Sequence, residues 1–395
     1  MRVLILHNYY RLRGGEQGVV NAEQDLLESH GHEVRRLTFD NEHIPSGVGK
    51  WAAMLRSVHN SSSYRQTRAV LEEFRPDVMH VHNTFYVASP SVYKAARDCG
   101  VPVVQSLHNF RLICPSIYLM HNGQIYEESV QKTFPVDAIR KRVTHDSFVQ
   151  SLVVASITAT HKIRGTYRKS IDRYIVFTDF AKSIFLQSSL GVPADRFAIK
   201  PNFIQDPGWD EDSKGDFYTF VGRLSPEKGI NVLLKAALNG DFKLKILGDG
   251  PLKDDVIEAS RQREQIEYLG LQGRESVLKT LRQSRGLIFP SLWYEGMPLV
   301  IVEALASGCP VVVSKLGNPG HMIEDRVSGL HFEPGDAMDL VRQVRRMEDQ
   351  ADLRRSLGQG ARQAYEDHYT PERNYDLLLQ IYNDVVREPL GSRVN

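Results

Sequence analysis

The sequence predicts an α/β protein with two Rossmann-like, doubly wound parallel-sheet domains that face each other across a cleft. Short runs rich in β-branched and aromatic residues alternate with longer helical patterns along most of the 395 residues, which is typical of parallel sheets covered by helices. The alternation stops at a segment rich in Pro, Gly and Asp, 204–216, and then begins again. We therefore assign a first domain to 1–203, a linker to 204–216 and a second domain to 217–370. We expect the last helical stretch, 371–395, to rejoin the first domain.

Composition and charge are those of an ordinary globular protein. With 42% hydrophobic residues, 25% charged residues and a net charge of +1, the chain is long enough for two cores and lacks the basic excess of a general nucleic-acid binder. Its cysteines, Cys99, Cys114 and Cys309, are odd in number and widely spaced, so they predict neither a disulfide framework nor a CxxC metal pair. We interpret this as a cytoplasmic protein. The N-terminal apolar run is too short for a signal peptide, and no stretch reaches the roughly 18 apolar residues of a membrane span.

Six strands are predicted in the first domain from their β-rich composition: RVLILHN, EVRRLTF, PDVMHVHN, VPVVQSLHN, RYIVFT and FAIKPNF. The stretch EQGVVNAEQDLLESHG, between the first two, has helical apolar spacing. It ends at Gly31, a residue type suited to the position after a helix.

Six more strands are predicted in the second domain: DFYTFVGRL, FKLKILGDG, QIEYLG, GLIFPS, PVVVSKL and SGLHFEP. Between them lie the helical stretches KGINVLLKAALNG, PLKDDVIEASRQ and RESVLKTLRQS. A further helix is expected from about Leu299 to Ala306. Pro298 suits its first turn, where a missing N–H costs nothing, and Gly308 ends it.

The segment EGMPLVIVE places two carboxylates near the start of that helix. Glu295 lies in the loop after the strand GLIFPS, and Glu303 lies on the helix itself. Both can face the ligand edge of the sheet, near the partial positive charge of the helix N-terminus. The alternative is a solvated pair of carboxylates in ordinary ion pairs.

Two other strand-to-helix turns in the second domain carry candidate ligand groups. In FVGRLSPEKG, Arg223 and Lys228 provide two cations suited to a phosphate or diphosphate, or else they are ordinary surface residues. In LGDGP, Gly248 and Gly250 allow close approach to a base or ribose. The third glycine of G-x-G-x-x-G is missing, so the turn is not a nicotinamide dinucleotide fingerprint.

The first domain has two comparable loops. In RGGEQG, Gly14 and Gly15 leave room for a ligand to approach the backbone, although a flexible loop explains them equally well. In QSLHNFRLICP, His108 ends a strand, either as a substrate contact or as a structural residue. His80 and His82 of HVHN have no carboxylate at ligand spacing, so we interpret them as structural and predict no metal site.

Together these motifs resemble the family 4 retaining glycosyltransferases, which have the GT-B fold. The resemblance rests on EGMPLVIVE followed by ALASGCPVVVS, on VGRLSPEKG, and on LGDGP, GGEQ and SLHNFRLICP in the expected order. It implies transfer of a sugar, with retention and without a metal or cofactor, from a UDP- or GDP-sugar to a hydroxyl acceptor. The acceptor would be a glycan or a lipid-linked saccharide, in glycan, polysaccharide or glycolipid assembly. The first domain would bind the acceptor and the second the donor.

The resemblance also implies roles for individual residues. Arg223 and Lys228 would hold the diphosphate, Glu303 would contact the ribose, and Glu295 would bind the transferred sugar. His108 would lie beside the reacting bond. The implied catalytic set is His108, Arg223, Lys228 and Glu295. The implied donor-binding set is Gly14, Gly15, Arg223, Lys228, Gly248, Gly250, Glu295, Gly296, Met297, Pro298, Leu299 and Glu303.

One departure concerns the donor sugar, because many members read E-G-F-G where this chain has Pro298, which donates no N–H. Other functions also stay open: a sugar-nucleotide epimerase or phosphorylase on the same fold, or a non-catalytic nucleotide-sugar binding protein.

The segment 139–170 is apolar in the middle and basic at both ends. This pattern is compatible with peripheral contact with the anionic inner face of the cytoplasmic membrane. It is also compatible with a core helix that has basic residues at its ends.

Overall fold

The computed structural model describes residues 1–9, 15–40, 58–84, 87–210 and 214–388. The chain divides into two compact units. The first comprises Met1–His121, Tyr126–Pro201 and Asn374–Asn395, and the second comprises Asn202–Arg373 with Asn122–Ile125.

The first unit is built on a six-stranded sheet whose paired strands are all parallel, in the order β2-β1-β3-β4-β7-β8. Its strands are β1 Arg2–Tyr9, β2 Glu33–Asp40, β3 Val78–Val81, β4 Val103–Ser106, β7 Arg173–Val176 and β8 Phe197–Ile199, and a separate two-stranded sheet joins β5 Met120–His121 to β6 Gln124–Ile125. Its helices are α1 Gly15–Ser29, α2 Ser61–Phe74, α3 Ser91–Asp98, α4 Val136–Arg140, α5 Phe148–Arg164, α6 Thr166–Ser170, α7 Asp179–Gln187 and, from the end of the chain, α15 Pro371–Arg387.

The second unit has a six-stranded parallel sheet in the order β11-β10-β9-β12-β13-β14. Its strands are β9 Phe217–Val221, β10 Lys243–Leu247, β11 Ile266–Gly270, β12 Gly286–Phe289, β13 Val311–Ser314 and β14 Gly329–Phe332. Its helices are α8 Ile230–Asn239, α9 Lys253–Gln262, α10 Arg274–Gln283, α11 Leu299–Ala306, α12 Gly317–Met322, α13 Ala337–Asp349 and α14 Ala351–His368.

Continuous apolar runs form the central strands because both faces of a parallel sheet are covered by helices. Val3, Leu4, Ile5 and Leu6 of β1 are all fully buried. The twelve strands predicted from their β-rich composition are confirmed. No helix in the described part of the chain is long and apolar enough to cross a membrane.

The order of the second sheet positions the predicted site. The chain moves from β9 to β10 on one side and later places β12 on the other side of β9, so the strand order reverses there. Ligands of open α/β sheets bind beyond the carboxyl ends of the strands at such a reversal. The loops after β9, β10 and β12 are those that carry the candidate donor residues.

The helix α11 has the predicted bounds. Pro298 is its N-cap, at φ −72° and ψ 112°, and Gly308 lies beyond its end at φ +56°. The fixed φ of proline and the left-handed conformation open to glycine thus delimit the helix.

Candidate active site

The contact between Lys228 and Glu295 joins the loops after β9 and β12. Lys228 Nζ lies 2.7 Å from Glu295 Oε1, and their side chains are only 20% and 8% exposed. Ser291 Oγ donates to the same carboxylate oxygen at 2.8 Å. The Lys228 ammonium also lies 5.6 Å from the ring centre of Trp293. These contacts hold a cation in place at the carboxyl end of the sheet.

Arg223 is linked to this pair through Glu227. Its guanidinium donates to Glu227 Oε1 at 2.6 Å, and Ser225 Oγ donates to the same oxygen at 2.6 Å. The backbone N–H of Leu292, in the loop after β12, donates to the carbonyl of Glu227. Arg223 remains 56% exposed. Glu227 was not predicted as a site residue, although it lies between the two cations in FVGRLSPEKG.

Glu303 was expected to face a ligand, but its carboxylate contacts a side chain of the protein, Arg274. Its Oε1 lies 3.3 Å from Arg274 Nε, at the start of α10, and its side chain is 12% exposed. Burial raises the pKa of Glu303, and the charge of Arg274 opposes this shift. Arg274 was not predicted because it lies in another helix, with no motif that connects it to Glu303.

The glycine turn after β10 is set by backbone packing. A Cβ on Gly248 would lie 1.9 Å from the carbonyl oxygen of Gly222, and a Cβ on Gly250 would lie 2.5 Å from that of Leu224. Gly248 also has φ +148°, a conformation that side chains rarely allow. Both glycines are therefore required by the turn itself, before any ligand is considered.

The loop between β12 and α11 is held in place by contacts with Asn318 and Asn202. The Asn318 side-chain amide donates to the carbonyls of Glu295 and Gly296, and the backbone N–H of Asn202 points to the sulfur of Met297 at 3.0 Å. Leu299, the first residue of α11, packs against the core. Asn318 supports this loop from outside the predicted motifs, so it was not predicted as a site residue.

In the first unit, His108 lies just beyond β4, as predicted, and contacts His82 beyond β3. His108 Nε2 and His82 Nδ1 are 3.1 Å apart. His108 lines a pocket with Asn83 and Arg111, among other residues of these two strand ends. Burial lowers the pKa of His108 well below its ordinary value, and the neighbouring His82 adds to this shift. The ring is therefore neutral at physiological pH.

The predicted glycine loop of the first unit is described only in part, because Gly14 lies outside the described residues. Gly15 begins α1, and a Cβ on it would meet no atom within 4 Å, so packing among the described residues does not demand glycine there. Glu16 follows it and accepts a hydrogen bond from Asn83.

A buried cluster lies next to His108. The carboxylate of Glu23, on α1, lies 2.9 Å from His80 Nδ1 and 3.4 Å from His82 Nε2. The three side chains present ligand atoms within 4.8 Å of one another, close enough to hold a metal ion. However, Lys200 Nζ lies 2.9 Å from the other Glu23 oxygen and already balances its charge. A divalent ion would add two uncompensated charges to this buried site, so our prediction that no metal binds is unchanged. Glu23 was not predicted as a partner of these histidines because helix α1 lies far from HVHN in the chain.

Comparisons with known proteins cover both units. Residues 3–202 match the family model described as glycosyl transferase 4-like domain, and residues 202–364 match glycosyl transferases group 1. MJ1178, an uncharacterized glycosyltransferase of Methanocaldococcus jannaschii, is 31% identical over 155 residues, which are 38% of this chain and 44% of that protein. O-antigen chain mannosyltransferase C of Escherichia coli is 26% identical over 182 residues, which are 45% of this chain and 49% of that protein. The matches thus span less than half of either relative.

Among solved structures, Anabaena HepE in complex with UDP matches with a TM-score of 0.67 at 15% identity. The match covers 97% of this chain and 100% of that one. At this identity, the similarity concerns the fold.

Proposed function

The chain belongs to the family of group 1 and 4-like glycosyl transferases and has the GT-B fold, and we propose that it transfers a sugar from a UDP- or GDP-sugar to a hydroxyl acceptor. The transfer would retain the anomeric configuration and need no metal. The acceptor would be a glycan or a lipid-linked saccharide, because one relative is an O-antigen chain mannosyltransferase. The UDP complex of the HepE structure supports a nucleoside diphosphate as the leaving group.

The observation that carries this proposal is the pair of cations after β9. Departure of a nucleoside diphosphate leaves negative charge on phosphate oxygens, and fixed cations stabilise that charge without reorganisation. Lys228 is held by Glu295 at 2.7 Å, and its ammonium retains further N–H donors for a phosphate. Arg223 is more exposed and presents a planar donor group that suits a second phosphate oxygen.

The test is release of nucleotide from a panel of UDP-, GDP- and ADP-sugars, with and without candidate acceptors. We expect Lys228→Ala and Arg223→Ala each to lower turnover by about 10²–10³-fold, the usual cost of removing one such donor. Arg261→Ala is the matched control, because Arg261 is a cation of the same unit on α9 and is 75% exposed. Wild-type turnover in both site variants would contradict the assignment.

The same assay separates the alternatives. An epimerase converts the donor into a changed sugar nucleotide without an acceptor, and a binding protein releases no nucleotide from any donor. Activity that survives EDTA treatment and a product with the donor's anomeric configuration by NMR are the results expected here. Loss of activity on chelation, restored by added metal, would contradict a metal-independent reaction.

We further propose that one surface of the first unit contacts an anionic membrane that carries the acceptor. At the N-terminal end of α5, Phe148, Val149 and Leu152 are 50%, 46% and 37% exposed. Helix α4 packs against α5 and adds the exposed Val136 and Arg140. Apolar side chains beside exposed cations are typical of peripheral membrane contact.

The other end of α5 has a structural role. Lys162 Nζ donates to the carbonyl of Ile113 at 2.9 Å and to Ser189 Oγ at 2.8 Å. Burial lowers the pKa of Lys162 to about 8. The proposed membrane surface is therefore the N-terminal end of the helix and not its whole length.

Flotation with vesicles of phosphatidylglycerol and phosphatidylcholine tests this surface. We expect Phe148→Ser combined with Val149→Ser to reduce binding to anionic vesicles, while Leu271→Ser, at a 78% exposed leucine of the second unit, leaves it unchanged. No binding by the unaltered protein would contradict the membrane proposal and leave the donor proposal untouched.

A further inference from the structure

His82 and His108 follow two neighbouring strands of one sheet, β3 and β4, and His108 is the residue proposed to lie at the donor. We infer that Glu23 and His82 act as positioning residues that fix His108 as the Nε2–H tautomer, so that its Nδ1 accepts a hydrogen bond from a substrate hydroxyl. The inference deepens the proposed function, on which the identity of that hydroxyl rests. The tautomer itself follows from three contacts within the first unit.

The first contact fixes the charge of Glu23. Its carboxylate is 1% exposed, and Lys200 Nζ lies 2.9 Å from Oε2. Burial by itself raises the pKa of Glu23, but the charge of Lys200, with the histidines beside it, outweighs burial and holds the pKa well below its ordinary value. Glu23 is therefore an ionised group that only accepts hydrogen bonds.

The second contact fixes the tautomer of His82. His82 Nε2 lies 3.4 Å from Glu23 Oε1, is shielded from solvent and has no hydrogen-bond partner among the described residues. A ring nitrogen that faces a carboxylate is stabilised when it carries a proton and repelled when it presents a lone pair. The single proton of a neutral His82 ring therefore lies at Nε2, where it faces the carboxylate, and Nδ1 is left as an acceptor.

The third contact determines which nitrogen of His108 carries the proton. His82 Nδ1 and His108 Nε2 are 3.1 Å apart, and their rings are inclined by 28°. Since His82 Nδ1 is the acceptor, the proton between them belongs to His108 Nε2. His108 also packs against Phe177, with ring centres 5.1 Å apart, which restricts its rotation. A neutral His108 then has a lone pair at Nδ1.

This arrangement defines what His108 can do. A neutral imidazole with its proton held by His82 accepts a hydrogen bond and has no proton at Nδ1 to give to a leaving phosphate. The matching ligand group is a hydroxyl, as on a sugar. His108 would therefore orient a sugar hydroxyl, while Glu23 and His82 never touch the substrate.

Nitrogen NMR of ¹⁵N-histidine-labelled full-length protein reads the tautomer directly. The His108 resonances are identified by their loss in His108→Gln. At pH 7.5 we expect His108 of the unaltered protein to be protonated at Nε2 and unprotonated at Nδ1. A His108 ring protonated at Nδ1 overturns the inference, and this result does not depend on the folding of any variant.

Variants then test the role of Glu23. We expect Glu23→Gln to bring the Nδ1–H form of His108 into the spectrum and to raise the KM for the donor about tenfold, the value of one hydrogen bond to a substrate. Tyr382→Phe is the matched control, because Tyr382 contacts the same cluster through His80 Nδ1 at 2.7 Å and, among the described residues, has no hydrogen bond to His82 or His108. An unchanged His108 tautomer in folded Glu23→Gln, or the same change in Tyr382→Phe, overturns the inference.

The two proposals fail in different ways. If the tautomer behaves as expected but the unaltered protein turns over no sugar nucleotide, the proposed function is wrong and the positioning of His108 by Glu23 and His82 stands. If the protein turns over a donor and His108 is protonated at Nδ1, the proposed function stands and the positioning role is wrong.

Discussion

Glu16 shows how the first unit alters the protonation of a single carboxyl group. Its Oε1 lies 3.6 Å from His7 Nδ1 and accepts a hydrogen bond from Asn83, and its side chain is 13% exposed. Burial raises the pKa of Glu16 to about 7, although the charge of Arg111 and the Asn83 hydrogen bond oppose the shift. The group therefore changes charge close to neutral pH.

This shift predicts a dependence of stability on pH. Between pH 4.5, the ordinary pKa, and about 7, folded Glu16 retains a proton that the unfolded chain has released. The free energy of unfolding therefore falls as pH rises through this window and changes no further above it. Urea unfolding should show that the free energy of unfolding is lower at pH 7.5 than at pH 5 by on the order of 3 kcal/mol. Glu16→Gln should lack this difference.

Comparing the pH dependence of unfolding in the unaltered protein and in Glu16→Gln isolates the contribution of Glu16, because the other titrating groups are common to both. Glu33→Gln is the control, since Glu33 is a 62% exposed carboxylate of the same unit and should leave the decline in place. Equal pH dependence in Glu16→Gln and the unaltered protein would contradict the raised pKa.

Among the elements, the turn after β10 makes the strictest demand on sequence. Gly248→Ala would put a Cβ 1.9 Å from a backbone oxygen at φ +148°. Overpacking and backbone strain each cost about 1–3 kcal/mol, so we expect a clear fall in the thermal stability of the second unit. Gly273→Ala is the control, because its Cβ would meet no atom within 4 Å and its φ is −70°. Equal melting temperatures for the two variants would contradict this prediction.

The elements themselves could be predicted from the sequence because their signals are local. Apolar runs identified all the main strands, and Pro298 and Gly308 identified the ends of α11. The partners in the site could not be predicted in this way. Arg274 reaches Glu303, and Glu23 reaches His82, from helices that no motif links to them. Only the folded sheet brings such residues together, whereas the contact of Lys228 with Glu295 follows from two motifs at neighbouring strand ends.

At the scale of the whole molecule, one buried ion pair connects distant parts of the chain. Lys200, after β8, contacts Glu23 of α1 at 2.9 Å and Asn374 of α15 at 3.1 Å. All three residues are at most 1% exposed. The final helix thus completes the interior of the first unit, to which it belongs.

Removal of the Lys200 charge should therefore be costly. Lys200→Met leaves the Glu23 carboxylate buried without its cation, a change that typically costs about 3–5 kcal/mol. Hydrogen exchange of first-unit amides in urea would measure it. The double variant with Glu23→Gln should recover part of the loss, because no buried charge then remains. Lys94→Met, at a 61% exposed lysine of the same unit, should change stability little. A small effect of Lys200→Met would show that the pair matters little.

The return of α15 has a consequence for how the protein is made. Translation releases residues 202–370, nearly all of the second unit, before the residues of α15. Nearly all of the later-encoded unit can therefore fold on the ribosome from one continuous stretch of nascent chain. The earlier one must wait, with Glu23 and Lys200 lacking Asn374, until α15 has been synthesised. Premature termination shortly before α15 would thus damage the part of the enzyme that was synthesised first.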